Sequence, residues 1–129
     1  EYEAIDRVCI GSFSDERISR VQAGLGDRLC TSPGPRGVAK VLAAAAIRPS
    51  WKPPYGCVQI PTRGGILPMD SELLIKRLQR LGLQVHFWTI NDADEMNRLP
   101  DRGADAIITD EIELLKDVMQ ARGQWHPAA

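Results

Sequence analysis

Four side chains of this sequence are best suited to holding a small ligand: Trp88, Phe13, Arg36 and Arg63. An aromatic ring near the end of a strand can wall a pocket; Trp88 lies near the end of one run of strand-forming residues and Phe13 ends another. Arg36 and Arg63 lie in glycine-rich loops. Arg36 also stands just before a predicted helix N-terminus, where backbone N–H groups favour an anion such as a phosphate. Each has a plainer alternative, a core aromatic or a solvated loop arginine. Asn91 and Asp110 read as turn formers and caps. His86 lies two residues before Trp88, on the same face but deeper in the strand, and reads as a buried, hydrogen-bonded histidine. His126 sits in the tail, so the two histidines form no acid–base pair.

The elements that must position these residues alternate in type. Residues 85–90 are β-branched and aromatic and predict a strand. Residues 92–102 are polar, with Met96 and Leu99 three apart, and predict a short helix closed by Gly103. Residues 104–109 are apolar, like a strand buried on both faces, and Asp110 opens another helix. Strand, helix, strand, helix is a βαβα unit and implies a parallel sheet.

The rest of the chain repeats the theme. Residues 8–13 predict a strand, and Ser14 caps a helix with Asp15 and Glu16 in its first turn and Ile18, Val21 and Leu25 on one face. Residues 28–31 predict a second strand, 31–37 a loop, 38–47 an alanine-rich helix, and 48–56 a loop with three prolines. A third strand at 57–60 and a loop at 61–69 follow. Asp70 or Ser71 begins a helix with Leu74, Leu78 and Leu81 on one face and Ile75 beside them, and Gly82 stops it. Asp110 and Glu113 have capping-box spacing at the start of the last helix, whose predicted buried stripe is Leu114, Leu115, Val118 and Met119. The fold class is α/β. In such folds the loops after the strands carry function, here 12–15, 31–37, 61–70, 89–92 and 109–111.

Trp88-Thr89-Ile90-Asn91, followed by Gly103-Ala104-Asp105-Ala106-Ile107-Ile108-Thr109-Asp110, resembles the C-terminal signature of the glycerophosphodiester phosphodiesterases. Gly82-Leu83 and Ser12-Phe13 fit the same pattern. The resemblance implies a (β/α)8 TIM barrel of the phospholipase C-like phosphodiesterase type, and it covers only the C-terminal half. A complete barrel needs about 200 residues at the least, and this chain has 129. Residues 1–123 are assigned to the partial barrel and 124–129 to a tail. The resemblance further implies that Trp88 lines the substrate cleft, with Phe13 beside it. The parent enzyme would hydrolyse glycerophosphodiesters to glycerol 3-phosphate and an alcohol, using a divalent metal, calcium or magnesium, held by carboxylates, and a histidine pair as acid and base.

The family's His-Arg, Pro-Glu-Asn, Glu-x-Asp and His-Asp motifs are not found in this sequence, and Glu1 and Glu3 lack the lysine partner of the family's later strand. Cleaving a phosphodiester needs charge neutralisation and proton transfer at the leaving oxygen. The chain by itself is therefore expected to be inactive, with no catalytic residue and no metal ligand of its own. Two other readings stay open: a non-catalytic half-barrel that binds a ligand or partner, and a related barrel enzyme of phospholipase D type.

A net charge of −1 gives no general reason to bind nucleic acid. No apolar run approaches the roughly 20 residues of a membrane span, and the first residues carry no signal-peptide core. Cys9, Cys30 and Cys57 match no zinc spacing and read as small buried hydrophobes in a reducing, cytoplasmic compartment. Half a barrel leaves two strand edges, near residues 8–13 and 106–109, and a bare inner face. The expected partners are the glycerophosphodiester substrate and either the missing N-terminal half or a second copy of the chain.

Overall fold

The computed structural model describes residues 4–26 and 28–125. After a short 3-10 turn at Ile5–Arg7 come β1 (Cys9–Ile10), α1 (Asp15–Leu25), β2 (Cys30–Thr31), α2 (Pro35–Ile47) and β3 (Cys57–Ile60). A small hairpin, β4 (Arg63–Gly64) and β5 (Leu67–Pro68), precedes α3 (Glu72–Arg80). Then follow β6 (Gln84–Phe87), α4 (Ala93–Asp101), β7 (Ala106–Ile107) and α5 (Ile112–Ala121).

β1 pairs with β2, and β3 with β6 and β6 with β7, all parallel. The two groups join where the Gly56 N–H donates to the Thr31 carbonyl at 3.1 Å. The result is an arc in the order β1-β2-β3-β6-β7, each strand followed in the chain by a helix, with the β4–β5 hairpin intervening between β3 and α3. β1 and β7 are its edges among the described residues.

Alternation sorts side chains between the two faces of the arc. Val58, Ile60, Val85 and Phe87 point outward and have no exposed surface. The helices cover them with Val41, Ala44 and Ala45 of α2, Ile75 and Leu78 of α3, and Met96 and Leu99 of α4. Local signals start these helices: Ser14 Oγ accepts from the Arg17 N–H, Ser71 Oγ from the Leu74 N–H, and Asp92 Oδ1 from the Glu95 N–H. Gly82 and Gly103 close α3 and α4 at positive φ, 86° and 96°, where a Cβ would be strained.

Several expectations are corrected. The 61–69 loop contains the β4–β5 hairpin, and the helix expected at 38–47 begins at Pro35, a residue suited to the first helical position. Ile75 and Leu78, not Leu74, are the fully buried residues of α3. Leu25 of α1 is exposed. β7 is half-buried, not covered on both faces, because it is the last strand of the arc. No residue of α5 is fully buried: among the described residues its close packing is against α4, and Leu114, Leu115 and Val118 are partly buried against the core. The capping box at Asp110 does not form: Glu111 is the cap residue, and the Asp110 N–H donates to Asn91 Oδ1 at 3.0 Å.

Candidate functional site

The inward face carries different chemistry. Register places Gln59 beside His86 and His86 beside Ala106, and alternation puts Cys57 and Trp88 on that same face. At the C-terminal ends of the strands this face opens into a cleft of about 690 Å³. Gly11, Ser32, Gln59, Met69 and Ile108 line it beneath two aromatic rings, Phe13 and Trp88. The rings meet edge to face, with centroids 5.8 Å apart and planes at 83°, a geometry aromatic quadrupoles favour. Trp88 is half-buried, whereas Phe13 is 79% exposed.

The cleft is shaped by close approach. A Cβ at Gly11 would come within 2.6 Å of Gln59 Oε1, so glycine there leaves room for the amide. Ser32 Oγ accepts from the Gln59 N–H at 3.1 Å and ties β2's end to β3. No carboxylate is among the described residues that line this cleft.

Of the four candidate binding residues, the fold brings Phe13 and Trp88 together and leaves Arg36 and Arg63 apart from them. Arg36 lies exposed in the first turn of α2. The amides offered to an anion there are already taken: the Asp15 carboxylate accepts from the N–H groups of Arg36 and Gly37 at 3.1 and 2.9 Å. Arg63 borders a second, polar cleft of about 570 Å³ with Thr62, Asn91, Arg98 and Arg102. There the nearly buried Asp70 pairs with Arg98 at 2.5 Å and Arg102 at 3.2 Å.

Asn91 is more than a turn former. Its side-chain oxygen accepts from Thr109 Oγ1 at 2.9 Å as well as from the Asp110 N–H, locking the loop after β6 to the loop after β7. His86 is half-buried on the inner face, with Gln84 Oε1 3.2 Å from its Nε2. Burial pushes its pKa below the usual histidine value, and the charge of Asp105 opposes that shift. His126, Glu1 and Glu3 lie outside the described residues. The reading of the cysteines as buried hydrophobes holds for Cys57 alone. Cys30 is half-buried and Cys9 exposed, and the three thiols gather at one place on the inner face. Gln59, Ser32 and Gly11 were missed from sequence. Alternation from Cys57 could have found Gln59, but the approach of Gly11 and Ser32 to it comes from strand order.

The pairing of the Trp88-to-Asn91 and Gly103-to-Asp110 motifs through Asn91 and Thr109 is matched by likeness to known proteins. The model of the glycerophosphoryl diester phosphodiesterase family matches residues 7–114. The chain belongs to this family. It is 38% identical to "Probable glycerophosphodiester phosphodiesterase 2" of Mycobacterium tuberculosis, over 97% of this chain and 49% of that protein. It is 32% identical to glycerophosphodiester phosphodiesterase GDPD4 of Arabidopsis thaliana, over 41% of this chain and 16% of that protein. The crystal structure of "Putative glycerophosphoryl diester phosphodiesterase" from Silicibacter pomeroyi superposes with a TM-score of 0.67 at 20% identity. That match covers 93% of this chain and 40% of the other. The chain spans about half the length of the Mycobacterium tuberculosis relative, and its fold is half of a (β/α)8 barrel. No helix among the described residues is long and apolar enough to cross a membrane.

Proposed function

We propose that this chain is the C-terminal half of a metal-dependent glycerophosphodiester phosphodiesterase, in which Phe13 and Trp88 wall the pocket for the glycerol or alcohol part of the substrate. The observation that carries this reading is the edge-to-face pair over a cleft at the C-terminal strand ends, the end of a barrel where active sites sit. An apolar wall of this kind binds and orients a substrate and excludes water from it. Gln59 and Ser32 below it offer hydrogen bonds to hydroxyl groups.

A calcium or magnesium ion needs several oxygen ligands at one place. Among the described residues the grouped metal-binding side chains are thiols, which do not suit those hard cations. The residues present do not fit such a metal. In this reading the metal ligands and the acid–base pair belong to the other half of the barrel, which also covers the inner face. Without it, a second copy of the chain would do so.

The test is an assay of the pure 129-residue protein with glycerophosphocholine and calcium or magnesium, paired with light scattering at micromolar concentration. No release of glycerol 3-phosphate above background is expected, together with dimers or larger species. Metal-dependent release by the chain alone, or a monomer with a sharp cooperative melt, would refute the half-enzyme reading.

A further inference from the structure

Cys9, Cys30 and Cys57 are the first residues of three successive parallel strands, β1, β2 and β3. All three point to the inner face, and their sulfurs lie within 4.8 Å of one another. Cys9 and Cys57 Sγ are 3.2 Å apart, and Cys30 and Cys57 Sγ 4.0 Å. Gly56 makes room for the group, since a Cβ there would come within 2.7 Å of Cys30 Sγ.

We propose that these three thiols are a binding site for one thiophilic divalent cation of the zinc type. A zinc–sulfur bond of about 2.3 Å sets tetrahedral thiolate sulfurs roughly 3.8 Å apart, and the observed separations bracket that value. Three thiolates select soft cations over calcium or magnesium. Cys9 is exposed and lines the floor of the aromatic cleft, which gives an ion a way in and leaves a coordination position facing the cleft.

A disulfide joins two sulfurs at about 2.05 Å and leaves the third thiol unused, whereas the separations here, 3.2 and 4.0 Å to Cys57 Sγ, set all three sulfurs around one centre. Simple packing accounts for the buried Cys57, whose thiol lies 3.9 Å from the Thr31 carbonyl, but not for the exposed Cys9.

Binding replaces three S–H bonds by three sulfur–metal bonds and releases the protons to solvent, with no change of oxidation state. Because the metal displaces the thiol protons, affinity should strengthen as pH rises.

The reduced 129-residue chain is titrated with Zn²⁺ in competition with a chromophoric chelator, and with Cd²⁺ while the thiolate-to-metal charge-transfer band is followed. One ion per chain, protons released on binding, and protection of all three thiols from a thiol-modifying reagent are expected. Losing an outer-shell partner typically costs roughly 10- to 100-fold in metal affinity, so Cys9→Ser, Cys30→Ser and Cys57→Ser are each expected to lose at least about 100-fold. Cys57→Ala supplies a second variant where a buried serine hydroxyl impairs folding, and circular dichroism of each variant checks the fold. Affinity no greater than that of the triple Cys→Ala chain, protection of fewer than three thiols, or a disulfide among them in the purified protein would overturn the site.

Discussion

The same five strands present two unlike faces. Outward, Val58, Ile60, Val85 and Phe87 are sealed by three helices and show no exposed surface. Inward, the alternate positions hold Cys57, Gln59, His86 and Trp88, of which only Cys57 is buried. The outward residues are interchangeable in kind: any branched apolar side chain of the right volume would serve. The inward residues differ from one another, and each has a separate chemical capability. Stability is concentrated on one face and, in the proposed function, recognition on the other, so neighbouring substitutions along β6 and just past its end should have opposite signatures.

The largest contrast is between Phe87 and Trp88. Phe87→Ala removes a fully buried ring and should cost about 3–5 kcal/mol of stability, read as a lower denaturation midpoint. A cost below about 1 kcal/mol would mean that the outer layer is not the core. Trp88→Ala, made in a full-length enzyme, should act mainly on substrate. KM should rise more than kcat falls, with kcat/KM reduced by about 1–3 kcal/mol equivalent, the scale of one large apolar contact. Lost folding with an unchanged KM would return Trp88 to the core and erase the contrast.

The smallest effect concerns His86. Its folded pKa is depressed by burial, so the unfolded chain takes up a proton first as pH falls. Its contribution to stability is fully present above the unfolded value of about 6.5 and is lost as pH falls from there through the folded pKa. His86→Asn should flatten the stability-against-pH curve in that window while leaving stability at pH 8 nearly unchanged. An unaltered slope in urea titrations at several pH values would show that another group controls it.

Local patterns in the sequence determined a good deal. Ser14, Ser71 and Asp92 are helix caps as their positions suggest, because a cap bonds a backbone N–H only three residues away. Gly82 and Gly103 end helices for an equally local reason. The alternation of strands and helices implied a parallel α/β fold, and the two motifs at 88–91 and 103–110 pointed to the family whose model matches the chain.

Tertiary structure decided what depends on strand order and curvature. Asp15 was legible as a first-turn acid of α1, yet its carboxylate also caps α2, 21 residues on. Asp110 had the spacing of a capping box, but Asn91 from a neighbouring loop takes its N–H instead. Cys9, Cys30 and Cys57 show no metal spacing along the chain, since their spacing is set by whole strand–helix units. Only the parallel register and the bend of the sheet bring their sulfurs together. A sequence pattern reports on partners a few residues apart. Contacts across the arc are fixed by how the helices pack on its outer face, and that is a property of all the strands at once.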